Sequence, residues 1–329
     1  MTYFPYLRGK QFELLSVKEL AERGDLVNGI QPVIEPVRTL DNSALGRTLA
    51  SFNKHGIAST LIVNPLVGEH ASADGVATVL KFLEDSETGV SVSALGVLVD
   101  ATVDLRAIFE QIGQREGPTL PTHLFHRGYN PDLPQLIING VAPNISTNFA
   151  ENRELQRLYD VDLMDDPDIF IQWRKMTFIR WKDHFTKLQR NIDYVDRPEQ
   201  LFSADAIYLE EENWDGLSDY QTVGQGFNEG GRLPWAVVIH LTYQKKPGGP
   251  IFISHFCSDS NDDASDTAGK FGEALAKLVK FTVTNKLSNP AIAAFRTHLE
   301  NDSFPGLGTV KKLSVQNHIY VMKTAMGIQ

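Results

Sequence analysis

Along the first 150 residues apolar and polar positions alternate between two periods. Residues 3–7 (YFPYL) make a short aromatic run of strand type. Residues 11–23 then place Phe12, Leu14, Leu15, Val17, Leu20 and Ala21 at helical spacing, and Gly24 stands where a helix stop belongs. The same alternation recurs. It predicts strands over 32–37, 59–63, 95–99, 123–125 and 141–147, separated by helices over 43–55, 74–83, 105–112 and 133–138. These strands are short, rich in β-branched residues and apolar on both faces, as parallel strands covered by helices are. Six such units in a row predict a parallel α/β fold.

The rhythm breaks after Phe149. Residues 151–187 mix polar residues with Trp173, Phe178, Trp181 and Phe185, and predict helices inserted between strands six and seven. Strand character returns at 216–224 and 235–243. After the Pro247-Gly248-Gly249-Pro250 turn, a further hairpin strand is expected at 251–256. Helices over 268–281 and 290–300 follow. Neither Gly-x-Gly-x-x-Gly nor Gly-x-x-x-x-Gly-Lys-Ser/Thr occurs, which removes the main support for a dinucleotide or P-loop fold. The expected fold is therefore a TIM-like (β/α)8 barrel. It is one domain over residues 1–329, with a helical insertion at 150–205 and an extra C-terminal hairpin strand.

Composition narrows the setting. The chain has 329 residues, 42% hydrophobic, with a net charge of −10, so no global basic footprint for nucleic acid is present. A single cysteine, Cys257, excludes an internal disulfide and a cysteine-based zinc motif. The N-terminus lacks the apolar stretch of a signal peptide, and no apolar run is long enough to cross a membrane. A cytoplasmic protein without membrane contact is expected, with homodimerisation as the default for an oligomer.

In a barrel the chemistry sits at the carboxyl ends of the strands. Ionisable candidates there are Glu35, Asp100, Arg127, Asp219, His240 and His255, with Arg8, Lys10, Asn64, His126 and Tyr220 beside them. Carboxylates, histidines and cations together suit acid–base chemistry or a phosphate-binding cup, provided that they converge on one cavity. Each also has a structural reading: Glu35 can pair with Arg8 or Lys10, Asp100 can cap a helix, and His240 can be a hydrogen-bonded core residue. The loop 257–263 resembles a calcium loop but lacks its glycine and closing glutamate, so Asp266 is expected to cap the next helix instead. No metal or cofactor is assigned. Arg174, Lys175, Arg180, Trp181 and Lys182 suit single-stranded nucleic acid, but an amphipathic helix with buried aromatics and solvated cations is the favoured reading, since the acidic chain supplies no supporting field.

Several strings resemble the phage beta-protein family and its bacterial relatives. They are residues 3–10 (YFPYLRGK) with Glu13, 32–36 (PVIEP) and 126–129 (HRGY). Residues 216–224 (GLSDYQTVG), 236–243 (AVVIHLTY) and 255–262 (HFCSDSND) resemble the bacterial branch, which is often encoded beside a small restriction-nuclease-like protein. The resemblance implies a barrel-like fold and a place in anti-phage or mobile-element loci, acting with a nuclease-like partner. It carries over no catalytic residue. The alternative from the strand ends is a barrel hydrolase acting on a phosphorylated or nucleotide-like small molecule.

Overall fold

The computed structural model describes all residues except 41–43, 73, 86–88, 143, 229 and 231–233. The expected start of the helix at Ser43 and Pro143 of the expected sixth strand lie outside the described residues. Among the described residues, eight parallel strands close a barrel in the order β1-β2-β3-β4-β5-β6-β7-β9. They are β1 (Thr2–Leu7), β2 (Val33–Ile34), β3 (Thr60–Ile62), β4 (Ala94–Val99), β5 (Thr122–His126), β6 (Ile145–Ala150), β7 (Thr177–Lys182) and β9 (Gly216–Asp219). Helices α1 (Gln11–Glu22), α2 (Ala44–His55), α3 (Gly75–Glu84), α4 (Leu105–Gln114) and α5 (Leu133–Ile138) link the first six, as their periodicity predicts. The fold is a (β/α)8 barrel.

Strand parity divides the core in two. Phe4, Tyr6, Val33, Ile62, Leu98, Phe125, Phe149, Ile179, Trp181 and Tyr220 form one cluster inside the barrel. Their neighbours in sequence, such as Leu7, Ile34, Leu61, Val97 and Leu124, pack outward under the helices. The upper interior layer is aromatic. Phe125 and Phe149 stack with centroids 4.0 Å apart, and Tyr6 lies 5.2 Å from Trp181 and 4.9 Å from Tyr220. Each such pair adds about 0.5–1.5 kcal/mol to the burial itself.

The second half departs from expectation in two ways. The stretch 150–205 is not wholly helical. After α6 (Glu154–Leu163) and α7 (Pro167–Arg174) it contains β7, a strand of the barrel wall. The aromatic and basic residues there alternate with period two: Ile179 and Trp181 face in, while Phe178 and Arg180 face out. The amphipathic helix expected over Arg180–Lys182 does not form.

The second departure concerns residues 235–243, which are not a barrel strand. β10 (Val238–Gln244) and β11 (Ile251–Cys257) pair antiparallel, and β8 (Glu199–Ser203) joins them in a separate sheet ordered β10-β11-β8. One face of this sheet, with Ile251, Ile253 and Cys257, belongs to the barrel's outer core. The other, with Ile239, Leu241 and Phe256, is covered by α9 (Thr267–Thr284) and α10 (Pro290–Glu300). Asp266 caps α9 by accepting from Gly269 N at 2.9 Å. A last helix, α11 (Leu307–Ala325), packs against α1 and β10. No described helix is long and apolar enough to cross a membrane.

Candidate active site at the barrel mouth

The inward parity of each strand continues one step past its carboxyl end and selects the rim. Phe4 and Tyr6 lead to Arg8, Val33 to Glu35, Ile62 to Asn64, Leu98 to Asp100, Phe125 to Arg127, Phe149 to Glu151, and Ile179 and Trp181 to Asp183. Ser218 leads to Tyr220 on the strand that closes the barrel. A cleft of about 580 Å³ opens on one side of this rim, lined by Arg127, Tyr129, Glu151, Asn152, Trp181, Lys182, Asp183, Tyr220 and Gln225, with Arg8 and Glu35 outside its lining.

Glu35 is 2% exposed and fully engaged. Its Oε2 accepts from the Tyr6 hydroxyl at 2.9 Å and lies 3.2 Å from Arg8 Nη1, while its Oε1 accepts from Leu66 N at 3.3 Å. Arg8 also donates through Nη2 to the Gln225 carbonyl, and its guanidinium stands 5.7 Å from the Tyr220 ring. Gly9 makes this approach possible. Its φ is +61°, and a Cβ there would lie 2.8 Å from the Glu35 carbonyl oxygen. Glu35 is thus the anchor of Arg8, which is its structural reading.

Four charged groups surround the Tyr220 phenol, which has no hydrogen-bond partner among the described residues. Burial pushes this phenol upward. Arg8 and Arg127 pull it back, and Glu35 and Asp183 push the same way as burial. Arg127 is exposed, and its guanidinium makes no hydrogen bond or ion pair among the described residues. Lys182 Nζ lies 4.0 Å from Glu151. Asp183 is half-buried, and burial raises its carboxyl above the usual aspartate range despite hydrogen bonds from Gln225 N at 2.6 Å and Phe185 N at 2.9 Å. A half-buried carboxyl with a raised pKa, on the same rim as an unpartnered phenol, is suited to donate a proton.

Other candidates fall elsewhere. Asp100 is on the rim, but its Oδ1 accepts from Thr102 N at 2.8 Å and Thr102 Oγ1 at 2.6 Å. Burial works against its ionised form, yet the Thr102 hydrogen bonds prevail and hold it low. His126 has outward parity. Its Nε2 meets Asn148 Oδ1 at 2.9 Å, and burial lowers it to about 4.

Asp219 is a correction. It also points outward, one residue out of phase with Tyr220, and accepts from Tyr3 OH at 2.7 Å, His318 Nε2 at 2.9 Å and Gln221 N at 3.0 Å. His318 Nδ1 in turn meets Thr242 Oγ1 at 3.0 Å. The arrangement has the order of a hydroxyl–imidazole–carboxylate triad, but all three residues are buried and join β9, α11 and β10.

His240 and His255 are also corrected. They are cross-strand partners in the outer sheet, with Nδ1 atoms 2.7 Å apart, packed against Phe185 and Tyr194. The expected convergence of six residues therefore reduces to Glu35, Arg127 and the rim position of Asp100, joined by Arg8, Asp183 and Tyr220. Asp183 was hidden because β7 read as a helix. The signal that finds it is the Ile179-x-Trp181-x-Asp183 alternation.

Of the expected nucleic-acid residues, Arg174, Lys175 and Arg180 line one cleft, whereas Trp181 and Lys182 do not join them there. Trp181 is 5% exposed inside the barrel, and Arg180 pairs with Asp205 at 2.7 Å and with Glu212. Arg174 pairs with Asp160 at 2.6 Å. Among the described residues no cluster of three or more metal-ligating side chains occurs.

No protein-family model matches the chain, and no curated protein matches it. Ten chains of solved structures do. One is the crystal structure of an α-amylase from Lactobacillus plantarum, with a TM-score of 0.35 and 8% identity, covering 66% of this chain and 70% of that one.

Proposed function

We propose that the barrel mouth is an acid–base active site that hydrolyses a phosphorylated or nucleotide-like small molecule. The carrying observation is the Tyr220 hydroxyl, free of protein partners and set among Arg8, Arg127, Glu35 and Asp183. Arg127 and Arg8 hold the anionic group, with Glu35 and Tyr6 fixing Arg8. Tyr220 donates to a substrate oxygen. Asp183 in its protonated form, which burial favours, gives its proton to the leaving oxygen as the bond from phosphorus to that oxygen breaks. Water supplies the oxygen of the new bond, and Asp183 regains a proton from solvent.

The test is phosphate release across a panel of sugar phosphates and nucleotides. Activity is expected to fall as pH rises through the raised Asp183 pKa, and Asp183→Asn is expected to lose about 100-fold or more in kcat. Absence of turnover on every panel member, or an Asp183→Asn variant as active as the wild type, contradicts the reading.

The defence-module reading rests on the family resemblance. Its test is co-purification with a small restriction-nuclease-like protein of the kind the resemblance implies, and it stands or falls independently of the mouth chemistry.

A further inference from the structure

A second cleft, of about 1040 Å³, opens on the outer wall of the barrel between α6, α7, the start of β7 and residues 211–215. Its lining departs from the acidic balance of the chain. Arg153, Arg157, Arg174, Lys175 and Arg180 stand there against four carboxylates, in a protein of net charge −10.

Three of those carboxylates are already engaged. Asp160 pairs with Arg174 at 2.6 Å, Glu212 pairs with Arg180 and accepts from Trp214 Nε1 at 3.2 Å, and Asp215 accepts from Phe178 N at 2.8 Å. The fourth, Glu211, is exposed. Arg157 and Lys175 are exposed too, and their side chains make no hydrogen bond or ion pair among the described residues.

Arg153 is held differently. Its Cζ lies over the Trp214 ring, 4.2 Å from the centroid, and 5.1 Å from that of Phe178, while Nη1 donates to Gln156 Oε1 at 2.6 Å. Burial holds Arg153 below the usual arginine range; Asp215 opposes this, and the nearby charge of Arg174 adds to it. Like charges gathered in one cleft repel, and an anionic ligand relieves the repulsion. Trp214 is 5% exposed beneath the guanidinium, so the other face of that plane is left to the cleft. Arginine planes stack nucleic-acid bases, and free arginine and lysine side chains take phosphates.

This cleft adjoins the mouth. Asn152 lines both. On β7, Lys182 lines the mouth, and Arg180, two residues back on the same outward face, lines the second cleft.

We propose that the outer cleft binds a single-stranded oligonucleotide, with a base stacked on Arg153 and phosphates on Arg157 and Lys175. The chain runs on past Asn152, and its terminal phosphate reaches Arg127; this last step alone rests on the mouth reading.

Fluorescence anisotropy of a 3′-labelled single-stranded DNA of about ten nucleotides, within the length that one binding site covers, tests the cleft at low salt. Wild type is expected to bind it about tenfold or more tighter than a nucleoside monophosphate. The double variant Arg157→Gln with Lys175→Gln is expected to lose about tenfold or more in oligonucleotide affinity. Its slope of log affinity against log salt is expected to be shallower by about 1.4, for two lost phosphate contacts. Its affinity for the monophosphate and its melting temperature are expected to match those of the wild type, because both side chains are exposed and unpaired.

An oligonucleotide affinity that the double variant leaves unchanged, or that does not exceed that of the monophosphate, overturns the proposal. Equal competition by inorganic polyphosphate at the same phosphate concentration also overturns it, since no base is then stacked. A double variant that loses oligonucleotide affinity, in a protein that hydrolyses no phosphate ester, upholds the cleft and removes the mouth reading.

Discussion

The Tyr6 hydroxyl donates to Glu35 Oε2 at 2.9 Å, tying the last aromatic layer of the barrel interior to its charged rim. The same carboxylate lies 3.2 Å from Arg8 Nη1, with side chains only 2% and 10% exposed. Removing one member of a buried pair strands the other charge without water. Glu35→Ala is therefore expected to cost about 3–5 kcal/mol in urea unfolding. The double variant with Arg8→Met is expected to recover part of that loss, because the stranded charge is gone. A single-variant cost below about 1 kcal/mol would show that the pair is solvated.

Asp219 and His318 carry a structural load. With Tyr3 and Thr242 they bind the closing strand of the barrel to α11 and to the outer sheet, in a region that solvent does not reach. His318→Ala is expected to destabilise the fold by about 2–4 kcal/mol, through an unsatisfied carboxylate and a lost ring. Ligand binding per folded molecule is expected to persist. Loss of binding with normal stability would return these residues to the site.

Buried histidines make the protein acid-sensitive. Burial lowers His123, His126 and His255 to about 4 and His240 to about 3; for His240 the neighbouring His255 adds to the effect. The unfolded chain takes up these protons near pH 6.5, whereas the folded chain waits until about pH 4 or below. Stability is thus full above pH 6.5 and falls as pH drops toward 4. His123 and His126, both buried, each contribute a slope of up to about 1.4 kcal/mol per pH unit. Urea midpoints at pH 7, 6 and 5 measure it, and His126→Gln is expected to flatten the curve. A midpoint constant over that range contradicts the assignment.

The legible part of the molecule is the part where local pattern and tertiary role agree. β1 to β5 and the helices α1 to α5 follow from periodicity because these strands are mostly apolar and each helix has a buried face. β6, expected over 141–147, runs instead over Ile145–Ala150, because Ser146, Thr147 and Asn148 blur its pattern. β7 was illegible because its outward side chains include Arg180, which meets Asp205 and Glu212, so a barrel strand looks like a polar, aromatic helix. β10 misled in the opposite way: Ile239 and Leu241 are buried under α9 and α10, giving it the apolar character of a barrel strand.

At the strand ends, position along the chain found Glu35, Asp100 and Arg127 but could not separate Tyr220 from Asp219. That separation is a matter of parity, and a shift of one residue sends a side chain from the mouth to the outer wall. Counting back to the interior residues Ser218 and Phe4, whose carbonyl accepts from Ser218 Oγ at 2.7 Å, places Tyr220 inside.

The most direct measurement of the central claim is equilibrium binding of inorganic phosphate and nucleoside monophosphates by calorimetry at low salt. Wild type is to be compared with Arg127→Gln and with a control, Lys280→Gln, exposed on α9. The account predicts binding by wild type and control, with about tenfold or greater weakening in Arg127→Gln from loss of a charge-assisted contact. Equal affinity in all three, or no binding in any, would contradict an anion-binding active site at the barrel mouth.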